Sequence, residues 1–581
     1  MKRNMEKLLF FFTAVTMFAF FADVRYLSVR RSLLDQRHQL SKFLHTSDFE
    51  NRIDLAISEN NRRFHRMTTA RTSLLSPLAG LLLPDLQALL LFDSSLDDRY
   101  YYRDDSISLT CVFQGGASSP AVFAGLLTPS NRPTFKCAVP KSIQKKNPTG
   151  RLHLTKPVLV DKRRPPEQVR GWRMDEILLS WDLLVYESFS TAEDVVVFAK
   201  GVNNRQNKNR PPSDLSCIFR SGSDSVTTAV TSSAQEVFRC HHPEASSFPI
   251  HPKQPIAVSL QITNDNPIPS VAQYNPQLQK SSPSEKSLTC ACTMVRNVGK
   301  FLPEWVTYHS SIGVNKFFFY DNGSDDELKE VINTTVTNNP KKIHITTYHW
   351  PWVKTQEAGF SHCAVAHRET CKWMMFLDLD EFVFMPSWGD STKPSPTMLS
   401  TILPTNDDSV GQLMIPCHDY GPSGQTQHPS SGVMHGYTCR RNVEERHKSI
   451  VRLDGVDDSL KNVVHHFMLK QGYVGRRLRS WEVVVNHYKY QAWVEFRNKF
   501  RQRVSAYVSD WTTETNPNSK DRTPGLGFQP IEPEDWTHRF CDVNDTRLRD
   551  VSWRWFHRVR PDGFRAMAWD FGRVNLQSFG I

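Results

Sequence analysis

The sequence predicts an α/β domain built on a doubly wound sheet, preceded by a β-rich, sandwich-like module and an N-terminal membrane helix. Three observations carry that expectation. From Ser287 onward, apolar runs of strand length alternate with amphipathic runs of helix length, as crossover connections in a parallel sheet require. Between residues 99 and 269 the runs are short and β-like, separated by clusters of Pro, Gly, Ser and Asn. Near the start, Leu8 to Ala22 is apolar and carries no charge. At 581 residues the chain exceeds what one core organises, so two or three domains are expected. Hydrophobic content of 39% and charged content of 23% describe a folded protein, and the net charge of +11 suits anionic partners.

The elements follow in chain order. Residues 1–25 read as a cytoplasmic tail and signal-anchor helix. Fifteen helical residues reach only about 22 Å, so a cleaved signal peptide competes with a short anchor. Phe20 fits a cleavage site poorly, and Lys2, Arg3 and Lys7 favour a cytoplasmic N-terminus. Residues 26–98 read as a stem, in which Leu74 to Phe92 is a packing segment because Pro77, Pro84 and Asp85 interrupt it. Residues 99–269 form the β-rich module. Within it "SLTCVFQGG" and "TFKCAVP" are echoed by "DLSCIFRSG" and "VFRCHHP". That repeat suggests one disulfide per unit, Cys111 with Cys137 and Cys217 with Cys240, although crossed pairings are equally legal. Two similar hairpin edges of one sandwich are the favoured reading. Eleven cysteines suit an oxidising lumen and leave at least one thiol over. Sequons at Asn322, Asn333 and Asn544 agree with that address, although Asn322 falls on the expected ligand edge of the α/β domain and is expected to stay unglycosylated. Residues 270–287 are a linker by composition, 288–540 the α/β domain, and 541–581 an Arg-, Trp- and Phe-rich extension without an assigned role.

In the α/β domain, strands are expected at "SLTCACTMV", "NKFFFYDN", "KIHITTYHW" and Trp373 to Leu377, with helices at "FLPEWVTYHSSIGV" and "DDELKEVINTTV". Ligands of such sheets bind at the carboxyl ends of the strands. Arg296 and Asn297, Asp321 and Asn322, and Asp378 with Asp380 all fall on that edge. Asp378, Asp380 and Glu381 crowd behind the apolar "WMMFL", and three close carboxylates repel unless a cation or shared proton relieves them. A metal site is the first hypothesis. No glycine-rich phosphate loop is present, so a nucleotide diphosphate would be held through a divalent cation. Phosphotransferases that use Asp-x-Asp after a strand want Thr or Val where Phe382 stands.

"TMVRNVGKFLPEWVTYHSSIGVNKFFFYDNGSDDELKEVI", "HCAVAHRETCKWMMFLDLDEFVF" and "VVNHYKY" together resemble glycosyltransferase family 92, the former domain of unknown function 23. The resemblance covers about Leu288 to Tyr490. It implies a GT-A nucleotide-sugar fold using Asp-x-Asp and Mn²⁺ or another divalent cation. It also implies an N-terminal anchor, a carbohydrate-binding β module and a Golgi address with a lumenal catalytic domain. Plant members include galactan synthases, so UDP-galactose is the expected donor and a glycan or cell-wall polysaccharide the expected acceptor. Carried onto this chain, Asp378 faces the ribose or the metal, Asp380 is a metal ligand, and His487 in "NHY" is the remaining protein ligand. Asp321 falls near the uridine, with Arg296 and Asn297 at the nucleotide edge. Transfer with inversion needs a general base. Asp419, Glu444, Glu445 and Asp454 are the candidates, with Glu444 or Glu445 preferred, and Lys448 and Arg452 stand near. His465 and Phe467 in "HHF" also match the family. An amphipathic helix follows "NHY", with Phe496, Phe500, Val504 and Tyr507 on one stripe beside Arg497, Lys499, Arg501 and Arg503. A lumenal address makes nucleic acid a poor partner for that basic face, and the diphosphate or an acidic glycan a better one. The competing reading is a lectin-like or scaffolding protein that no longer turns over.

Overall fold

A computed structural model describes residues 74–101, 108–144, 152–161, 176–203, 209–248, 255–275, 285–339, 343–404, 407–499, 532–559, 563 and 565–570. The expected anchor helix, and the stem up to residue 73, lie outside the described residues. Among the described residues no helix is long and apolar enough to cross a membrane.

The first sheet begins inside the segment expected as stem. Strands Leu74–Leu75, Ala79–Leu82 and Gln87–Leu91 join an eight-stranded sheet with five later strands, from Leu109–Val112 to Leu179–Ser180. After Trp181–Leu183 the chain starts a second, seven-stranded sheet running from Leu184–Ser190 to Gln273–Tyr274. Each sheet has its own apolar cluster and its own disulfide. Cys111–Cys137 lies among Leu90, Phe92 and Phe135, and Cys217–Cys240 among Val195, Val197 and Phe238. The repeat therefore marks two β units, where one sandwich was expected. Hairpin motifs repeat in sequence whether or not the sheet continues between them, and here it breaks at Trp181.

Both units also bury a second face. Along Gln87–Leu91, Ala88 and Leu90 face the unit's own core, whereas Leu89 and Leu91 join a cluster with the α/β domain. Val195 and Val197 face inward in the second unit, and Val196 and Phe198 join the shared cluster. Side chains alternate along a strand, so a strand covered on both faces reads as an unbroken apolar run. "ALLL" and "VVVF" are such runs. Their partners across the boundary include Trp350, Trp352, Phe360, Met374 and Phe376.

The α/β domain is laid out as β1 (Ser287–Val295), α1 (Leu302–Ile312), β2 (Lys316–Asp321), α2 (Leu328–Asn338), β3 (His344–His349), α3 (Gln356–Ala366) and β4 (Cys371–Phe376). It continues with β5 (Glu381–Phe384), β6 (Val410–Asp419), β7 (Glu445–Arg452), β8 (Val474–Arg477) and β9 (Val484–His487). The nine strands run in the order β3-β2-β1-β4-β7-β6-β9-β5, with β8 paired to β6. The first four are mutually parallel. The chain steps outward from β1 to β3 and then crosses back to place β4 on the other side of β1. That reversal opens a crevice at the carboxyl ends of β1 and β4. Alternation again splits the strands: Phe317, Phe319, Trp373 and Met375 face one layer, and Phe318, Tyr320, Met374 and Phe376 the other.

The C-terminal extension belongs to this domain. Val543–Asn544 pairs with Cys439–Arg440 beside the Cys439–Cys541 disulfide. Helix α4 (Arg547–Phe556) drives Leu548, Val551, Trp555 and Phe556 into the core next to α1. Cys290–Cys371 and Cys292–Cys363 complete five disulfides, and Cys417 is the free, buried thiol.

Candidate functional site

Three strands bring the site together by register. After β4 the chain turns through Leu377-Asp-Leu-Asp380, closed by the Glu381 N–H donating to the Asp378 carbonyl at 3.0 Å. It returns as β5, antiparallel to β9, with Glu381 opposite His487. Strand β9 runs parallel to β6, with His487 opposite Asp419. Glu381, His487 and Asp419 thus form a row across three neighbouring strands. Helix α1 fixes β5 from below: Trp305 Nε1 donates to the Glu381 carbonyl at 2.9 Å and Tyr308 to the Val383 carbonyl at 2.7 Å.

The row orients one imidazole. His487 Nδ1–H donates to Asp419 Oδ1 at 2.8 Å, which turns Nε2 towards Asp380 Oδ2 at 3.5 Å and Glu381 Oε1 at 3.7 Å. Lys489 holds the other Asp419 oxygen at 2.6 Å. Lys499 donates to Asp380, and Lys448 lies 2.5 Å from Glu381. Lys448 also donates to His465 Nε2 at 3.0 Å, because His465 Nδ1–H is spent on the Phe376 carbonyl at 2.6 Å. His465 Nε2 is 3.9 Å from Asp378. Burial alone would push Asp380 and Asp419 up. The neighbouring cations win and hold both carboxyls far below the usual range. Burial would likewise lower His487, but Asp380 and Asp419 raise it well above an ordinary histidine. Asp378, Asp380, Asp419, Lys448, His465 and His487 line a cavity of ≈ 1100 Å³ at the sheet's reversal point, and Glu381 is fully buried outside that lining.

The sequence profile of glycosyltransferase family 92 matches residues 285–523. A family 92 protein of Oryza sativa subsp. japonica is 43% identical over 395 residues, 64% of this chain and 66% of its own length. One from Ricinus communis is 43% identical over 389 residues, covering 64% of this chain and 67% of its own. One from Arabidopsis thaliana is 43% identical over 385 residues, covering 64% and 66%. The chain belongs to glycosyltransferase family 92. It spans about two thirds of the length of these curated relatives. Among solved structures, a pullulanase from Anoxybacillus sp. LM18-11 aligns over 49% of this chain and 50% of its own at 11% identity and a TM-score of 0.11, too low to bear on the fold.

In this family 92 chain, Arg296, Asn297, Asp378 and Asp380, which the sequence places on one edge, line the cavity together with Asp419, Glu445 and His487. Arg296 Nε is buried and makes no hydrogen bond among the described residues. Asn297 takes a left-handed conformation (φ 53°) and its side chain accepts from Asp325 N–H at 2.8 Å, pinning the loop after β1. Three expected residues are placed otherwise. Asp321 is outside the cavity lining, and its carboxylate caps the next turn by accepting from Ser324 N–H at 2.8 Å. Glu444 is outside the lining too, paired with Arg477 at 3.1 Å, and Asp454 pairs with Lys286 at 3.1 Å. Asp419 reaches the cavity but is committed to His487 and Lys489, so it acts as an orienting acid. Asn322 spends its amide on the Trp350 and Trp352 carbonyls at 2.8 and 3.0 Å.

The sequence counts Glu381 among the crowded carboxylates without giving it a ligand's role, and it does not single out Lys489 or the pairing of Lys499. Lys489 had a local signal, since it stands two residues from the expected ligand His487. Lys499 is brought back by the helical stretch 493–499, and only its basic character was legible.

Clusters able to hold a cation with ligand atoms within 4.8 Å of one another are Asp380–Glu381–His487, Asp378–Glu381–His465 and Cys417–Asp419–His487. The contact of His487 with Asp419 sets aside the last of these. With Nδ1 bound to Asp419, His487 offers only Nε2, which faces Asp380 and Glu381. Two carboxylates and one imidazole nitrogen suit Mn²⁺, and a carboxylate behind the histidine is the usual supporting partner.

Proposed function

We propose that this chain transfers a hexose, galactose by its family resemblance, from a UDP-sugar to a glycan or polysaccharide acceptor with inversion, in a Mn²⁺-dependent GT-A-type site. The observation that carries the reading is the His487 imidazole on the cavity wall, oriented by Asp419 towards Asp380 and the buried Glu381. Asp380, Glu381 and His487, with Asp378 beside them, would hold the divalent cation, which when bound neutralises the donor diphosphate and the departing UDP. Arg296 and Asn297 stand at the nucleotide edge of the cavity. Of the base candidates, Asp419 and Glu445 reach the cavity; Asp419 is committed to His487 and Lys489, which leaves Glu445, half-buried and paired with Arg441. It takes the proton of the acceptor hydroxyl as that oxygen attacks the anomeric carbon in line. A single-pass type II topology, with the N-terminal segment as anchor and the catalytic part in the Golgi lumen, completes the proposal. Five disulfides agree with that compartment.

The test is UDP release from a panel of UDP-sugars with Mn²⁺ and a glycan acceptor, beside Asp380→Asn. Release from one donor that disappears in the variant and in EDTA establishes the reading and names the sugar. A wild type that neither binds nor turns over any UDP-sugar overturns it.

A further inference from the structure

One loop of the cavity wall is held from the second β unit, and the contacts that hold it are polar as well as apolar. Between β3 and α3 the chain reads Trp350-Pro-Trp352-Val-Lys354-Thr355. Trp352, Lys354 and Gln356 line the cavity. Trp181, on the passage between the two sheets, stacks on Trp352 with ring centroids 6.0 Å apart and planes 4° from parallel. Glu187 accepts from Trp352 Nε1 at 3.4 Å. Lys200, itself paired with Glu236, donates to the Lys354 carbonyl at 3.0 Å.

Lys354 has φ 64°, the left-handed region that a residue with a Cβ enters at a cost. Such strain persists where the surroundings over-determine it, and it clusters at ligand clamps. Here the neighbouring polar groups are engaged in turn. Thr355 Oγ1 donates to the Trp352 carbonyl at 2.7 Å and accepts from Trp350 Nε1 at 2.9 Å, while Asn322 holds the Trp350 and Trp352 carbonyls. Two residues beyond Lys354, Gln356 Nε2 comes within 3.5 Å of Asp378 Oδ1. The strained, half-buried lysine therefore stands on the wall beside the acidic cluster.

We propose that Lys354 binds the diphosphate of the donor nucleotide, and that Lys200 of the second β unit is the positioning residue that holds it there. The proposal rests on the transferase reading above and extends the site beyond residues 285–523. Lys354 lines the same cavity as Asp378, Asp380 and His487; with a divalent cation on those acids, a ligand that meets both the cation and an ammonium on the wall is a doubly anionic one, and a nucleoside diphosphate is that ligand. No loop of backbone N–H groups with a phosphate-binding glycine pattern is available for the task.

The experiment measures UDP affinity by calorimetry, with Mn²⁺ and with EDTA, on the full chain and on Lys354→Gly, Lys200→Met, Lys200→Arg and the Lys200→Met/Lys354→Gly double variant. Glycine accepts the positive φ, so Lys354→Gly removes the ammonium and leaves the backbone at ease. UDP binding is expected to weaken about tenfold or more in Lys354→Gly and Lys200→Met, the size of a lost charge-assisted bond. Lys200→Arg restores it, and the double variant binds no worse than Lys354→Gly alone. Unchanged UDP affinity in Lys354→Gly overturns the proposal. So does a Lys200→Met chain that melts earlier yet binds UDP as wild type does, or a double variant whose losses add. Wild type that fails to bind UDP sinks the transferase reading together with it, whereas normal wild-type binding beside unaffected variants sinks this inference alone.

Discussion

At the scale of single residues, the site depends on what each acid is already doing. Asp419 spends both oxygens, on His487 and Lys489. Asp419→Asn should leave the fold intact and weaken Mn²⁺ binding about 10- to 100-fold by releasing the imidazole. Titration calorimetry with Mn²⁺ decides this, and unchanged affinity would take Asp419 out of the metal's support. Glu445 and Glu444 are adjacent in sequence and separate in space. Glu445→Gln should lower turnover by about 10²- to 10⁴-fold with UDP affinity kept, whereas Glu444→Gln should behave as wild type. Equal activity in both variants would place the base elsewhere. Residue type and strand position made Asp378, Asp380 and the Arg296–Asn297 pair legible in the sequence, because a charged or amide group at the end of a buried strand sits where such sheets take their ligands. That Asp321 and Glu444 stand outside the cavity lining was not legible. A carboxylate that caps its own turn and one that meets a surface arginine look the same in sequence as two that meet a ligand.

At the scale of elements, the parallel strands were legible and the antiparallel return was not. Strand β1 coincides with "SLTCACTMV", and α1, β2 and α2 lie within a few residues of expectation. Their buried runs and helical stripes are local signals. Helix α3 is buried from Ala358 to Val365, so it has no polar face to betray its period. Strands β5 and β9 matter through their pairing, which spans about a hundred residues of chain and leaves no local mark. The C-terminal extension was likewise opaque. Its apolar residues fill a groove made by α1 and the loop carrying Trp388. Ending the chain after residue 540 should therefore cost on the order of 5 kcal/mol or more, from Leu548, Val551, Trp555 and Phe556 left without cover. The check is a thermal melt of the shortened chain, and a midpoint equal to that of the full chain would contradict the packing described.

For the whole molecule, pH is the lever that separates the folded state from its parts. Burial lowers His309, His362 and His367 from 6.5 to about 3. They are neutral in the folded state and protonate readily once unfolded. Their contribution is complete above pH 6.5 and is lost as pH falls from there towards 3. One unit below the ordinary histidine value each forfeits about 1 kcal/mol. Glu187, raised by burial to about 7, has the opposite sign: its contribution is complete below pH 4.5 and is lost as pH rises through 7. Four histidines, His349 being lowered to about 3 as well, outweigh Glu187 and the raised His487, so the midpoint of thermal unfolding should drop steadily between about pH 6.5 and 5, read by circular dichroism. A flat profile across that range would mean the histidines are not shielded as described. The shared cluster of Leu89, Leu91, Val196 and Phe198 against Trp350, Trp352 and Phe360 has a different kind of consequence. Residue 285, where the family's sequence signature begins, is not a seam in the molecule. The facing side chains belong to two stretches of chain that must stay matched, so a substitution on one side has to be accommodated on the other. A chimera joining the β units of one relative to the catalytic part of another would have to carry both halves of that buried wall.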